Sequence, residues 1–522
     1  MQLNLFTWLL SLSPLVLFLF LMTGKKWSGS KAGFFSWIYT LLIAIIFFGA
    51  NLPLIGYAHF KVVFLAGDVL LIIWMALLFF HISNYAGAIT VIGDALANLT
   101  GNTIIQTLLL SWLFSSFLQG LGGFGVPVAV TAPLLIGLGI NPIDAVVMAS
   151  IGHGWAVTFG SMGSSFQTMM ALSGFSGYVL APDTTVLLGG AAIISGLLIA
   201  YIQGGYKAVL KNLPFIFIMG AILGTVQYLL ATQGLWSVAA TGAAMVALIA
   251  AFLLIKFRII GNRKDNPSSN LDKEKITDPS KPSLLLSASV YLILVLLSFA
   301  IKLITPLGDF LEQVKLTYPF PEIISNLGWT TVAEAGRVIT IFTHPSMILL
   351  LASIVAYILF SQKHFLSKDN STKIISSVIK SGTKTSTAIL FTVSIAVIMS
   401  HTGMIHILAE GLSHLVSANL YPALTPFIGA LGAFISGSNN NSNILFTNLH
   451  MQTAQLMGLD VTLILAAQSA GGAVGSIFAP AKVIVGCSTV GLAGKEGQVI
   501  GKVIKYGMIL VAASAVLTMM MI

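Results

Sequence analysis

Two segments of this chain place anion-binding residue types inside long apolar stretches. The first, 119–127, reads QGLGGFGVP and has glycine at Gly120, Gly122, Gly123 and Gly125. Because glycine and proline disfavour a continuous helix, we predict that this segment forms the tip of a re-entrant hairpin. Backbone N–H groups freed at helix starts favour a carboxylate ligand. The alternative is close packing of helices through small residues.

The second segment, 436–443, reads SGSNNNSN, and seven of its eight residues have a hydrogen-bonding side chain. Amides and hydroxyls can hydrogen-bond both a carboxylate and a hydroxyl. We therefore predict a polar binding tip opposite the glycine-rich one; an ordinary external loop is the alternative. The predicted substrate-binding residues here are Ser438, Asn439, Asn440, Asn441, Ser442 and Asn443.

A third feature is a pair of glycine-rich interruptions in apolar sequence, at 150–165 and 469–482. Each is predicted to be a spanning helix that unwinds halfway. His153 lies in the first interruption, and because imidazole titrates near physiological pH we predict that it contacts substrate or a proton. A structural histidine is the alternative. Asp68, inside an apolar span, is the second candidate for proton coupling, and Lys482 either attracts the anion or extends toward the cytoplasmic face.

Other chemically active residues have simpler explanations. His406, Glu410 and His414 are spaced four apart, which fits a metal site or a proton relay. The opposite helical face is apolar, however, and this favours an amphipathic helix at the membrane interface. The single Cys487 excludes a disulfide framework, and the sequence has no nucleotide-binding or zinc-protease motif. We therefore predict no metal, no cofactor and no enzymatic activity.

The composition indicates where these segments lie. The chain has 522 residues, of which 57% are hydrophobic and only 8% are charged, and its mean hydropathy is +0.96. A soluble chain is about 25% charged, so we predict an integral membrane protein with many spans. The formal charge of +9 does not indicate nucleic acid, because the basic residues form short clusters between apolar runs, as in cytoplasmic loops.

Apolar runs of spanning length define the predicted topology. They lie at 5–22, 33–56, 62–82, 184–203, 212–230, 236–256, 284–303, 340–360, 385–401 and 506–522. Five basic loops between or beside them are predicted to be cytoplasmic. These loops are 24–31, 207–211, 256–283, 363–384 and 495–505. The segment 304–339 and both termini then lie outside.

The chain contains an internal repeat. Residues 84–99 align with 400–415 at a constant offset of 316, which pairs Gly87 with Gly403. The helix before the first copy is predicted to run inward and the helix before the second outward, so the copies are inverted, as in many secondary transporters. We predict an all-α polytopic fold with re-entrant hairpins and interrupted helices. Its parts are 1–83 (N-terminal helices), 84–204 (first transport repeat), 205–399 (connecting helices with the loop 256–283) and 400–522 (second transport repeat).

These paired motifs resemble those of the lactate permease family of proton-coupled monocarboxylate transporters. Residues 117–129 are similar to that family's glycine-rich signature, 436–443 to its polar Gly-Ser-Asp/Asn segment, and 493–496 to its Ala-Gly-Lys-Glu ending. Members of the family often have Asn-Thr-Ala-Pro where this chain has residues 153–156, and an acid where it has Asn439.

The resemblance implies uptake of L-lactate, or of glycolate or D-lactate, by proton symport with alternating access. Sodium-coupled carboxylate transport and a passive small-anion channel are the alternatives. The implied partners are the hydroxy acid, protons and membrane lipid, with no nucleic acid, and a homodimer is left open. The implied location is a bacterial-type plasma membrane, which the chain crosses many times.

Overall fold

The computed structural model describes residues 3–25, 27–123, 125–257, 281–333, 338–492 and 495–522. Within these ranges eleven helices are long and apolar enough to cross a membrane. The predicted all-α polytopic fold is confirmed, and it follows from the requirement that backbone groups in lipid find their partners within the protein. Phe124, most of the loop 256–283 and the pair 493–494 belong to the predicted features but lie outside the described residues.

The helices of the described ranges follow in this order: α1 (Leu5–Thr23), α2 (Gly29–Phe47), α3 (Leu52–Tyr85), α4 (Ala88–Ala97), α5 (Thr103–Leu108), α6 (Ser115–Leu121), α7 (Val126–Gly137), α8 (Pro142–His153), α9 (Gly160–Ser173), α10 (Gly177–Thr232), α11 (Ala239–Lys256), α12 (Leu284–Leu303), α13 (Thr305–Leu311), α14 (Pro345–Gln362), α15 (Lys368–His401), α16 (Met404–Leu415), α17 (Tyr421–Ser436), α18 (Asn439–Met457), α19 (Val461–Gly475), α20 (Pro480–Thr489) and α21 (Glu496–Met520). A π-helical turn, Leu109–Phe114, joins α5 to α6. Non-helical residues Gly204 and Gly205 divide α10 into two parts, close to the two predicted spans.

The predicted span 33–56 corresponds to a candidate membrane span with other bounds, Gly29–Phe47, because local signals end one helix and begin another within 33–56. α2 ends at Phe47, and Gly49 then adopts a left-handed conformation with φ of 67°. Asn51 caps α3, since its Oδ1 accepts the backbone N–H of Leu54 at 2.9 Å and satisfies a donor at the helix start. The result is two separate helices, α2 and the 34-residue α3.

The same series of elements occurs twice along the chain. α3 and α15 both have 34 residues, and each is followed within two residues by a glycine with positive φ, Gly87 at 79° and Gly403 at 77°. These glycines begin the short helices α4 and α16. Both copies continue with a helical hairpin (α5 to α7; α17 and α18), an interrupted helix (α8 and α9; α19 and α20) and a long helix (α10; α21). The inverted sense of the copies stays a prediction from the charge pattern.

The predicted external segment 304–339 contains α13 and short strands. β1 (Lys315–Leu316) pairs with β4 (Ile339–Thr340), and β2 (Ile323–Ile324) pairs with β3 (Thr330–Thr331), both antiparallel. The segment is attached to the N-terminal helices, because Asn326 donates its backbone N–H to the carbonyl of Gly49 at 2.8 Å. Residues 334–337 lie outside the described part of the chain.

The hairpin of each copy packs against the interrupted helix of the other copy. α18 of the second copy contacts α9 of the first, and α7 of the first contacts α20 of the second. The start of α7 lies close to α20, because a Cβ added to Gly125, just before α7, would lie 3.4 Å from the Val485 side chain on α20. Each hairpin therefore lies against the interrupted helix of the other copy.

Candidate substrate site

The two hairpin tips are shorter than predicted. The glycine-rich tip lies between the end of α6 at Leu121 and the start of α7 at Val126, so Gly120 belongs to α6. In the second hairpin only residues 437–438 are non-helical, and the predicted binding residues 439–443 form the first turns of α18. The expectation of a non-helical polar tip over 438–443 is thus corrected: these side chains lie at a helix N-terminus, where unpaired backbone N–H groups also point toward a ligand.

The side chains at the start of α18 bind the interrupted helix of the first copy. Asn440 Oδ1 accepts a hydrogen bond from the Ser165 hydroxyl on α9. Asn443 donates its Nδ2 to the Ser165 carbonyl oxygen at 2.9 Å and to the Ser469 Oγ at 3.2 Å. Asn443 is fully buried, so these contacts connect three elements in the protein interior.

A second group of contacts joins the two interrupted helices directly. Thr158 Oγ1 lies 3.1 Å from the Ser469 carbonyl oxygen and 3.2 Å from its hydroxyl. Asn439 donates its Nδ2 to the same Thr158 oxygen at 3.1 Å. Gln468, beside Ser469, donates to the Asn443 Oδ1 at 3.2 Å. Thr158 and Gln468 were not among the predicted site residues, because a single threonine or glutamine in apolar sequence gives no distinctive signal.

The backbone between the two tips is strained. Ser161, Met162 and Gly163 all have left-handed conformations, with φ of 46°, 56° and 75°. Residues other than glycine in this region carry a cost of about 1–3 kcal/mol each, and such residues concentrate at functional sites. A Cβ on Gly123 would lie 2.3 Å from the Ser161 Oγ, so the glycine-rich tip touches this strained segment. Both tips therefore contact residues 158–165. The glycine-rich tip contacts Ser161, and α18 contacts Thr158 and Ser165.

Several buried amide oxygens around the tips have no hydrogen-bond partner among the described residues. They are the Oδ1 atoms of Asn439 and Asn441 and the Oε1 atoms of Gln119 and Gln468. A buried polar group left without a partner costs about 1–3 kcal/mol. Each of these oxygens can accept a hydrogen bond from a ligand hydroxyl, and the orientation of the Gln468 amide is fixed because its Nε2 donates to the Asn443 Oδ1. The site has unused hydrogen-bonding capacity of the kind that a hydroxy acid needs.

His153 lies at the end of α8 and packs against the π-helical turn and α6. Its Nδ1 lies 2.7 Å from the carbonyl oxygen of Ala149, which only accepts, so Nδ1 carries the hydrogen. Ser115 Oγ is 3.3 Å from the same nitrogen. The buried Nε2 has no partner among the described residues and is free to accept a hydrogen bond. Lys482 on α20 donates its Nζ to the Ser476 Oγ at 3.0 Å.

A cavity of about 1030 Å³ lies beside this site and opens next to the segment that contains the short strands. The predicted residues at the tips and His153 are not part of its lining, but Asp68 is. Its lining includes Gln167, two residues after Ser165 on α9, and Asn448 on α18. The cavity thus reaches the same two helices that form the polar contacts.

The sequence model of the L-lactate permease family matches residues 7–522. This chain belongs to the L-lactate permease family. It is 26% identical to the L-lactate permeases of Salmonella typhimurium and Bacillus subtilis, and in each case the alignment covers 98% of this chain and 95% of the relative. It is 23% identical to the glycolate permease GlcA of Escherichia coli, with the same coverage. The resemblance noted in the motifs is confirmed.

As a member of the L-lactate permease family, the protein is a transport protein that crosses the membrane many times. Its bacterial relatives place it in the plasma membrane. Membership concerns the whole chain, because the match begins within α1 and continues to the last residue.

Proposed function

We propose that this protein is a secondary active transporter that takes up L-lactate, or a related small 2-hydroxy monocarboxylate such as glycolate or D-lactate, by proton symport with alternating access. The observation that carries the proposal is the set of unpartnered, buried amide oxygens where α18 meets the strained segment of the first copy. Its relatives are named as L-lactate and glycolate permeases, and their substrates have the carboxylate and hydroxyl that such amides bind.

The substrate lies between the two hairpins. Its carboxylate accepts hydrogen bonds from the first N–H groups of α18, whose cap residue Ser438 makes no side-chain hydrogen bond to them. The amides of Asn439 and Asn441 turn toward the substrate, and its hydroxyl satisfies one of the unpartnered oxygens. The glycine-rich tip, with Gly122 and Gly123, lets the backbone approach closely. The free Nε2 of His153 is the further proposed contact.

The cavity and the charge pattern support an outward-open state. The cavity is lined by residues of the predicted external segment 304–339 and by the end of α15, the helix that is predicted to run outward. At the opposite end of the protein, Lys502 on α21 contacts the carboxylate of Asp144 on α8. We propose that this contact holds the cytoplasmic side together while the outer cavity is open, and that it separates in the inward-open state.

The test is uptake of labelled L-lactate into proteoliposomes that contain the purified protein. We expect accumulation when the interior is more alkaline than the exterior, and loss of accumulation when a protonophore removes the gradient. Glycolate and D-lactate should compete, whereas acetate should compete weakly because it lacks the hydroxyl.

Each other outcome assigns a different function. Equilibration that ignores the pH gradient indicates a passive channel, and accumulation that needs a sodium gradient indicates sodium coupling. Absence of flux for all three hydroxy acids, with protein inserted in the liposomes, would contradict the proposal.

A further inference from the structure

A buried acid–histidine pair lies in the wall of the outer cavity. Asp68, in the middle of α3, is 2% exposed, and His344, immediately before α14, is 7% exposed. The Asp68 Oδ1 and the His344 Nε2 are 2.6 Å apart, although 276 positions separate the two residues in sequence. Both residues line the cavity. Intramembrane ionisable groups are costly, so a pair of them facing a cavity points to a role in transport.

The protonation state of the pair follows from the other ring nitrogen. His344 caps α14, because its Nδ1 accepts the backbone N–H of Ser346 at 3.3 Å. A backbone N–H only donates, so Nδ1 has no hydrogen and the neutral ring has its hydrogen on Nε2. Nε2 therefore donates to the Asp68 carboxylate. In this state the pair has a net charge of −1.

We propose that Asp68 and His344 together form the site that binds the transported proton. This inference rests on the proposed proton symport and assigns its proton to particular atoms. One proton from the external water binds to Nδ1, which then donates to the Ser346 Oγ, 2.7 Å away, and ceases to accept from the Ser346 backbone. The pair becomes a neutral imidazolium–carboxylate. The same proton leaves by the reverse step when the site faces the cytoplasm.

Charge explains why the proton and the substrate travel together. The unprotonated pair repels a carboxylate that enters the same cavity, and the protonated pair does not. The cavity wall also includes Gln167 and Asn448, which lie on the two helices that form the polar site. Loading of the pair therefore favours passage of the anion toward α18, and the anion in turn favours the loaded pair, as linkage requires.

Four other titratable residues of the described ranges line the same cavity as the pair. Lys61 lies two turns before Asp68 on α3, His401 ends α15, and Tyr178 is at the start of α10. Glu312 is exposed at the cavity rim, after α13. The cavity residues of α9, α12 and α18, such as Gln167, Ser298 and Asn448, are uncharged. Asp68 is thus the buried carboxylate of this cavity.

The experiment separates exchange from proton-driven accumulation. Counterflow of labelled lactate against unlabelled lactate needs no net proton movement, whereas one-proton symport accumulates lactate about tenfold for each pH unit across the membrane. In Asp68→Asn we expect wild-type counterflow but an accumulation ratio close to one. Lactate entry down its own gradient should then proceed without alkalinisation of the external medium. Asp68→Glu should restore accumulation, and Glu312→Gln, which removes a carboxylate at the cavity rim, should leave both measurements unchanged.

Two results for Asp68→Asn would overturn the inference. Unchanged accumulation would place the proton elsewhere, and loss of counterflow in protein that still inserts would make Asp68 part of substrate passage and not of coupling. His344→Asn keeps a side chain that caps α14 but has no Nδ1 to bind the proton, so we expect it to lose accumulation and to keep counterflow. Unchanged accumulation in this variant would remove His344 from the site. Absence of counterflow in the wild-type protein would instead contradict the proposed function itself.

Discussion

Asn443→Ala tests whether α18 of the second copy depends on the first copy for its position. The substitution removes three hydrogen bonds: two that Asn443 donates, to Ser165 and Ser469, and one that it accepts from Gln468. Side-chain hydrogen bonds between membrane helices average about 0.6 kcal/mol, which gives ~2 kcal/mol for three. The Ser469 hydroxyl keeps its contact with Thr158, and the Gln468 Nε2 keeps its bond to Ser442, so neither group is left without a partner.

We therefore expect Asn443→Ala to lower the free energy of unfolding by about 2 kcal/mol. Thermal denaturation of the purified protein in one detergent, together with lactate counterflow in liposomes, measures both effects. Thr447→Val is the matched control, because Thr447 is buried on the same helix and its Oγ1 makes no hydrogen bond to the described residues. Stability and counterflow equal to those of the control would refute the role of Asn443 as the connection between the copies.

Three further predictions concern the site and its surroundings. Asn441→Ala should raise the KM for lactate about tenfold, equivalent to the ~1.4 kcal/mol of one hydrogen bond to a charged group, with no loss of thermal stability; an unchanged KM would remove Asn441 from the site. Lys502→Asp should slow uptake, by up to about fivefold for a half-exposed ion pair, and the double swap with Asp144→Lys should restore it. Gly123→Val should abolish uptake because Ser161 occupies the space, whereas Gly137→Val, with nothing within 4 Å, should not.

The sequence was informative wherever a property depends on a few neighbouring residues. Long apolar runs predicted the spans, and glycine clusters predicted the breaks at 122–125 and after His153, because helix propensity acts over one or two turns. The same reasoning failed at 439–443, which are helical in the structure. Asparagine has low helix propensity, but at the start of a helix its side chain can bind groups on neighbouring elements while the backbone stays helical.

The amino-acid sequence by itself determined that this is a polytopic helical protein with two similar halves, each with a broken hairpin and a broken helix. Only the tertiary structure decided which polar atoms meet. Asn440 reaches Ser165 across 275 positions, and His344 reaches Asp68 across 276. Such contacts depend on how whole helices pack and on side chains that one helix presents to another. No pattern along the chain specifies them, because composition and local propensity are properties of neighbours in sequence.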